Sequence, residues 1–311
     1  MEIKNYIDSI KNELLHSPKK IVVAGADNET ILQCIRKLKD EKIADALLVG
    51  DETRIKDTSK KISLDISDLE ILNTSSDIES AKIASKLVHE NKYDIFAKGS
   101  IETSIMMKAV LDKEYGLRTD KNVSLVSVFE MGVEQKNKLI FITDPGIRPY
   151  PNLEQKIALI NNAVAVANAF GYKNPKVAII AAIEEVNQKM KETVEADLLS
   201  KMNDEGKIQN CIVDGPLSID LAIDENAARL KHIENRKIKG DADILVFHDI
   251  HAANIAYKIF THLLKWRTGN VLVGTSKPCI IISRADTSDV KYLSILCSII
   301  YHEYLKKINK K

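Results

Sequence analysis

No stretch of this 311-residue sequence is apolar for long enough to cross a bilayer. The longest apolar runs, such as Val177 to Ile183, stop far short of the ~20 residues a spanning helix needs. No CxxC pair occurs. The four cysteines, Cys34, Cys211, Cys279 and Cys297, are widely scattered and read as buried small hydrophobes in a reducing cytoplasm. There is no basic block, and net charge is only +1. That argues against a broad nucleic-acid-binding face; an anionic small substrate would have to meet local positive charges. The twelve glycines never fall two apart, which excludes a GxGxxG dinucleotide fingerprint. Gly269 and Gly274 have P-loop spacing, but Thr275 stands where a lysine is required. There is no GxSxG elbow, no internal repeat and no low-complexity linker. Met1 to Leu15 carries acidic residues and no continuous apolar stretch, so it reads as an amphipathic helix and not a signal peptide.

What is present is an ordinary globular composition, 45% apolar and 29% charged, at a length that suits two domains. Strand-like runs alternate with helical patterns from end to end. The runs are Lys20 to Ala24, Ala46 to Gly50, Asp94 to Lys98, Val123 to Phe129, Leu139 to Thr143, Lys176 to Ile183, Asn210 to Val213, Asp243 to Phe247, Val271 to Gly274 and Cys279 to Ile282. One helix shows its signature plainly: Leu153, Ile157, Ile160, Val164 and Ala167 at helical spacing, Asn152 as cap with Gln155 three residues on, and Gly171 at the end. The alternation predicts parallel strands joined by crossover helices, hence layered α/β domains. Asp144-Pro145-Gly146-Ile147-Arg148-Pro149-Tyr150-Pro151 is the densest breaker segment and a candidate domain junction.

Ligands of open α/β sheets collect at the carboxyl ends of strands, so the residues following each strand carry the functional question. After Phe96 comes Lys98-Gly99-Ser100-Ile101-Glu102-Thr103, running into a helix. A glycine, hydroxyls and a helix N-terminus there suit a phosphate, and an ordinary capped turn accounts for them equally well. After Val213, Asp214-Gly215-Pro216-Leu217 predicts a sharp turn that could expose a carboxylate. After Phe247 come His248, Asp249 and His251, then a helix with Asn254, Tyr257 and Lys258. Lys258 lies one turn from Asn254 on the same face, where a solvated surface lysine is the plainer reading. The HxxH pair lacks a third metal ligand, so a solvated turn explains it and no metal is expected. The sharpest signal is Ser283-Arg284-Ala285-Asp286-Thr287-Ser288-Asp289, between a strand and the last helix. Thr287 or Ser288 can cap that helix, but capping does not account for Arg284, whose fork matches phosphate or a developing oxyanion.

Together these segments resemble the phosphate acetyl/butyryltransferase family, the butyryl branch most closely. The likeness runs in order through Lys98-Gly99 to Thr103, Lys108-Ala109-Val110-Leu111, Gly116-Leu117-Arg118-Thr119, Leu153-Glu154-Gln155-Lys156 and Asp214-Gly215-Pro216-Leu217. It continues through Gly240 to Leu245, Asp249-Ile250, Asn254 and Tyr257-Lys258, and ends on Ser283-Arg284-Ala285-Asp286. The resemblance implies an α/β fold of two three-layer α/β/α domains flanking a cleft, as in the isocitrate and isopropylmalate dehydrogenases. The expected first domain is 1–130 plus 284–311 and the second 131–283. It also implies the interconversion of acyl-CoA plus phosphate with acyl phosphate plus CoA, by direct transfer in a ternary complex. Coenzyme A is then a substrate, with no tightly bound cofactor, no metal, no membrane or nucleic-acid partner, and a cytoplasmic homodimer. Ser283 and Arg284 take the family's Ser-Arg pair. Lys98, Gly99, Ser100, Thr103, Arg118, Asp144, Arg148, Asp214, Asn254, Tyr257 and Lys258 are the expected substrate-binding residues.

The chain departs from the family at Pro145, Gly146 and Arg148, where small residues and an asparagine are usual, and at His248 and His251. Arg148 is therefore a candidate for unusual acyl selectivity, with a solvent-facing arginine as the alternative. A thiol near pKa ~8.5 needs a base at neutral pH. The helix dipole weakens Asp289 as a base and favours Asp286. The resemblance favours Asp289, with Asp286 as cap or as orienter of Arg284. Competing readings are a phosphate acetyltransferase, a metal-dependent dehydrogenase of the same fold, and a non-catalytic acyl-CoA-binding protein.

Overall fold

The structure, a computed structural model, describes residues 2–132, 138–231, 235–281 and 286–308, the side chains of 11–13 excepted. The chain divides into two compact units, Glu2–Lys121 with Arg267–Lys311, and Asn122–Trp266.

The first unit opens with α1 (Ile3–His16), β1 (Lys19–Ala24), α2 (Glu29–Asp40), β2 (Ala44–Gly50), α3 (Glu52–Lys61), β3 (Glu70–Asn73), α4 (Asp77–His89), β4 (Ile95–Lys98) and α5 (Thr103–Val110). The second unit contains β5 (Ser124–Glu130), β6 (Leu139–Thr143), α6 (Leu153–Ala169), β7 (Lys176–Ile180), α7 (Lys191–Asp204), β8 (Ile212–Leu217), α8 (Ile219–Ile223), α9 (Glu225–Leu230), β9 (Ile244–Val246), α10 (Ile250–Lys258) and a π-helical turn Ile259–Leu263. The chain then returns to the first unit with β10 (Arg267–Val273), β11 (Cys279–Ile280) and α11 (Ser288–Ile308).

Strand order in the first unit is β3-β2-β1-β4-β11-β10, and in the second β5-β6-β9-β7-β8. Most neighbours are parallel, as the alternation predicts. Two are not: β10 runs antiparallel to β11, and β5 antiparallel to β6. Each pair is joined by eight residues or fewer, short of the dozen or so that a parallel crossover needs. Strands β10 and β11, expected in the second domain, lie in the first unit because β11 bonds to β4 in parallel register, Cys279 opposite Phe96.

The α6 signature is realised in full. Asn152 accepts from the Gln155 amide at 2.9 Å, and the Gln155 side chain accepts from the Asn152 amide at 3.0 Å. Gly171 follows with φ +79°. Near the end of α11, Glu303 pairs with Lys19 of β1 at 2.7 Å, tying that helix to the amino edge of the first unit's sheet. Its face carries Leu293, Leu296 and Ile300, all buried. In the second unit Phe129 packs edge-on against Tyr257, Phe260 and Trp266. All four cysteines are buried thiols outside any disulfide, as expected. No described helix is long and apolar enough to cross a membrane.

One expected turn is a strand. Asp214-Gly215-Pro216-Leu217 continues β8 alongside β7 as far as the Ile180–Leu217 pair. Because β8 is the outer strand in its unit's order, the missing N–H of Pro216 need not break a ladder.

Candidate active site

The carboxyl edges of β1, β2 and β4 in the first unit meet around two glycines. Gly25 leaves β1 at φ +70°, a conformation that favours glycine. Gly99 leaves β4 so close to it that a Cβ there would lie 1.9 Å from the Gly25 carbonyl oxygen. The two turns are stitched by the Gly99 amide to Ala24 O at 2.8 Å and the Ser100 amide to Gly25 O at 2.7 Å. Ser100 Oγ donates to Asp27, which also pairs with Arg54 of α3. The Ser100 proton is thus committed. Lys98, expected to bind substrate, is 3% exposed and folds back instead. Its ammonium donates to Ile101 O at 2.8 Å and Gly99 O at 3.3 Å, stapling the turn. Thr103 opens α5 and is exposed. Arg118 is exposed on a segment held by Ser276 N to Leu117 O, 2.9 Å, and Thr119 Oγ1 to Gly274 O, 2.7 Å.

Ser283 and Arg284 lie outside the described residues; the residues after them do not. The cap of α11 is Thr287, whose Oγ1 accepts from the Val290 amide at 3.4 Å, so Asp286 is not needed for capping. Asp286 is half-buried. Both oxygens of Asp289 are engaged by Arg267, Nε to Oδ2 at 3.1 Å and a terminal nitrogen to Oδ1 at 3.4 Å. Lys291 is buried, with Nζ donating to Asn28 Oδ1 at 3.1 Å and to Thr30 Oγ1. Burial holds its pKa below the ordinary lysine value, against the opposing charge of Asp286.

The remaining expected residues belong to the second unit. Asp144, at the end of β6, is 2% exposed. It accepts from the amides of Gly146 and Ile147 at 3.0 Å and of Arg148 at 3.1 Å. Burial outweighs these donors and pushes its carboxyl up to about 6. Arg148 does not simply face solvent: it bonds to Asn122 Oδ1 at 3.1 Å and Val123 O at 3.3 Å. Asn254 donates to Pro145 O at 2.9 Å, and Lys258 is exposed one turn on.

Two expectations in this unit are corrected. Asp214 is no exposed carboxylate. It is buried, pairs with Arg236 at 3.1 Å, and accepts the amides of Lys237 and Ile238 at 2.8 and 3.1 Å, so its oxygens are spent holding that segment. Tyr257 is a core ring, 5.7 Å from Phe129. The histidines of the HxxH pair have separate partners. His248 is buried, its Nδ1 2.9 Å from Lys156, and burial with that cation lowers its pKa to about 4. His251 meets Tyr150 OH at 3.0 Å.

The Phosphate acetyl/butaryl transferase family matches this chain over residues 5–85 and 77–298. The chain belongs to that family. It is accordingly a phosphate acyltransferase. It is 42% identical over 293 residues to phosphate butyryltransferase of Clostridium acetobutylicum, covering 94% of this chain and 96% of the relative. Phosphate acetyltransferase of Thermotoga maritima is 38% identical, with 91% and 95% covered. Among solved structures, a branched-chain phosphotransacylase from Enterococcus faecalis superposes with a TM-score of 0.81 at 29% identity, covering 91% of this chain and 99% of that one.

Within this phosphate acyltransferase, sequence reasoning passed over Asp27, Arg54, Arg267 and Lys291. The run Gly25-Ala26-Asp27-Asn28 follows a strand that was legible, so the same carboxyl-edge rule that singled out Lys98 reaches it. Arg267 carried no such signal. It starts β10, and only the antiparallel pairing with β11 brings its end of the strand beside the start of α11.

Proposed function

We propose that this enzyme moves a butyryl or branched short acyl group between coenzyme A and inorganic phosphate, by direct transfer between the two substrates. The 42% identity with a phosphate butyryltransferase along nearly the whole of both chains carries this reading. The superposed branched-chain phosphotransacylase supports it. An acetyl preference is the second reading, favoured by the Thermotoga maritima relative.

In this proposal Ser283 and Arg284 stabilise the negative charge that develops on the carbonyl oxygen. A carboxylate takes the proton of the CoA thiol, and the thiolate attacks the acyl phosphate carbonyl. The C–S bond forms as the C–O bond to phosphate breaks. Phosphate leaves readily, so no acyl-enzyme is required. Asp286 is the proposed base: it follows Arg284 by two residues in the chain, before α11 begins, while Asp289 lies inside the helix and pairs with Arg267. Orienting two bound substrates supplies much of the remaining acceleration. Arg118, exposed at the edge of the first unit, is proposed as an anchor for a substrate phosphate.

A cytoplasmic homodimer completes the proposal. Ile255, Ile259 and Leu263 recur every fourth residue along α10 and the π-helical turn, at 60%, 41% and 74% exposure, an apolar stripe suited to a second copy. Two measurements test the reading. Steady-state rates of phosphate-dependent CoA release over acetyl-, propionyl-, butyryl-, isobutyryl- and isovaleryl-CoA should peak at four or five carbons, and a peak at acetyl would replace it by the second reading. Light scattering should show a dimer, and Leu263→Glu should weaken it; a monomeric wild type would remove the dimer.

A further inference from the structure

Lys291 combines three features that are individually unfavourable. Its side chain is 3% exposed, so an ammonium has been taken out of water. Both bonded partners, Asn28 Oδ1 and Thr30 Oγ1, are uncharged. Those partners are the N-cap and second residue of α2, the positive end of a twelve-residue helix, where a cation is electrostatically disfavoured. An apolar side chain could fill the same space without these costs, so the charge and its reach call for a role.

The contacts suggest what that role is. Lys291 lies in the opening turns of α11, directly after the Ser283–Asp289 segment in the chain. Asn28, which it holds, follows Asp27, and Asp27 holds Ser100 beside the Gly25–Gly99 crossing. One continuous set of contacts therefore joins the start of α11 to the β4–α5 turn within the first unit. The titratable groups that act on the Lys291 ammonium are Asp286, before α11, and Cys34 of α2.

We propose that Lys291 is a positioning residue for acyl transfer: it fixes the start of α11 to the cap of α2 and, through it, to the Gly99–Ser100 turn. This rests on the function proposed above, with Asp286 as base. Lys291 itself does not touch the reacting atoms. Its hydrogen bonds hold the opening turns of α11, and with them Asp286 just before the helix.

The test compares Lys291→Met, Lys291→Gln and Lys291→Arg with the wild-type full-length chain, measuring kcat, KM for phosphate and CoA, and the melting temperature. Lys291→Met should lower kcat by about ten- to a hundredfold while changing either KM by less than about threefold, as expected of a misplaced catalytic segment. Lys291→Arg, which keeps donors at the end of a long side chain, should recover most of kcat. If Lys291→Met fails to fold, Lys291→Gln, which keeps a hydrogen-bonding end and loses the charge, takes its place. Wild-type kcat in the neutral variants, with only a lower melting temperature, would reduce Lys291 to a packing residue and overturn the proposal. A Lys291→Arg protein as slow as Lys291→Met would overturn it too. Absence of turnover in the wild type would instead strike at the acyl-transfer reading itself.

Discussion

Replacing Gly99 by alanine probes the crossing on which the candidate site is built. The added Cβ would sit 1.9 Å from Gly25 O, 2.7 Å from Gly25 C and 3.0 Å from Ala24 O, all backbone atoms that no side-chain rotation can move aside. Real Cβ atoms essentially never approach within 3.0 Å, so the two turns must part by about 1 Å. That opening breaks or stretches the bonds Gly99 N–Ala24 O and Ser100 N–Gly25 O. At about 1 kcal/mol net for each bond plus 1–3 kcal/mol of overpacking strain, the expected loss is about 3–5 kcal/mol. A 1 Å displacement of the Ser100 turn should also cut kcat by about a hundredfold. Urea unfolding monitored by circular dichroism gives the first quantity and phosphate-dependent CoA release the second. Gly206→Ala is the control. Nothing lies within 4 Å of its Cβ, and only its φ of +74° is strained, so it should cost about 1 kcal/mol and leave kcat alone. A Gly99→Ala protein as stable and as active as the Gly206→Ala control would refute the reasoning.

Acidification should destabilise the fold between pH 6.5 and 4. His248 and His302 are both buried with pKa values lowered to about 4, burial being the main cause, so in that window the unfolded chain binds protons that the folded chain refuses, at a cost of about 3 kcal/mol for each histidine. Asp144, raised to about 6, acts with the opposite sign and should offset about 3 kcal/mol of this as pH falls from 6 to 4; Asp144→Asn should therefore steepen the acid loss in urea titrations, and an unchanged slope would contradict the assignment. Arg284→Gln should retain the fold and lose about a hundredfold in kcat, and a variant within threefold of wild type would exclude an oxyanion role. Asp286→Asn should abolish the rate near neutrality and recover partly at high pH, where the thiol ionises unaided; the same recovery in Asp289→Asn instead would reverse the roles. Arg148→Asn should change acyl selectivity only if the guanidinium reaches the acyl group; its bonds to Asn122 and Val123 predict an unchanged profile and lowered stability.

Much of the fold was legible because local chemistry and tertiary packing agree. Asn152, Gln155 and Gly171 mark the two ends of α6 by capping rules that need no distant partner. Strands β1, β4 and β6 declare themselves as short β-branched and apolar runs buried along their length or nearly so. What could not be read depends on partners. Periodicity does not distinguish a parallel from an antiparallel neighbour, so β10 was placed in the wrong unit and Arg267 went unnoticed. Glu70 to Asn73 forms β3 only because β2 lies beside it, and four residues carry too little pattern to show alone. Asp-Gly-Pro has the composition of a turn, yet β7 holds it extended, and the carboxylate that looked available is consumed by Arg236 and two backbone amides. Lys98 illustrates the same limit at the site: a lysine at a strand's carboxyl end suggests a ligand contact, but its ammonium closes its own turn.

The stoichiometry of one reaction tests phosphate acyl transfer most directly. Purified enzyme mixed with butyryl-CoA and inorganic phosphate should release CoA and form butyryl phosphate in equal amounts, with the acyl phosphate trapped as its hydroxamate and the thiol read in parallel. Release should vanish when phosphate is omitted, and adding CoA and butyryl phosphate should run the reaction backwards. CoA release that proceeds equally without phosphate, or without any acyl phosphate formed, would contradict the central claim.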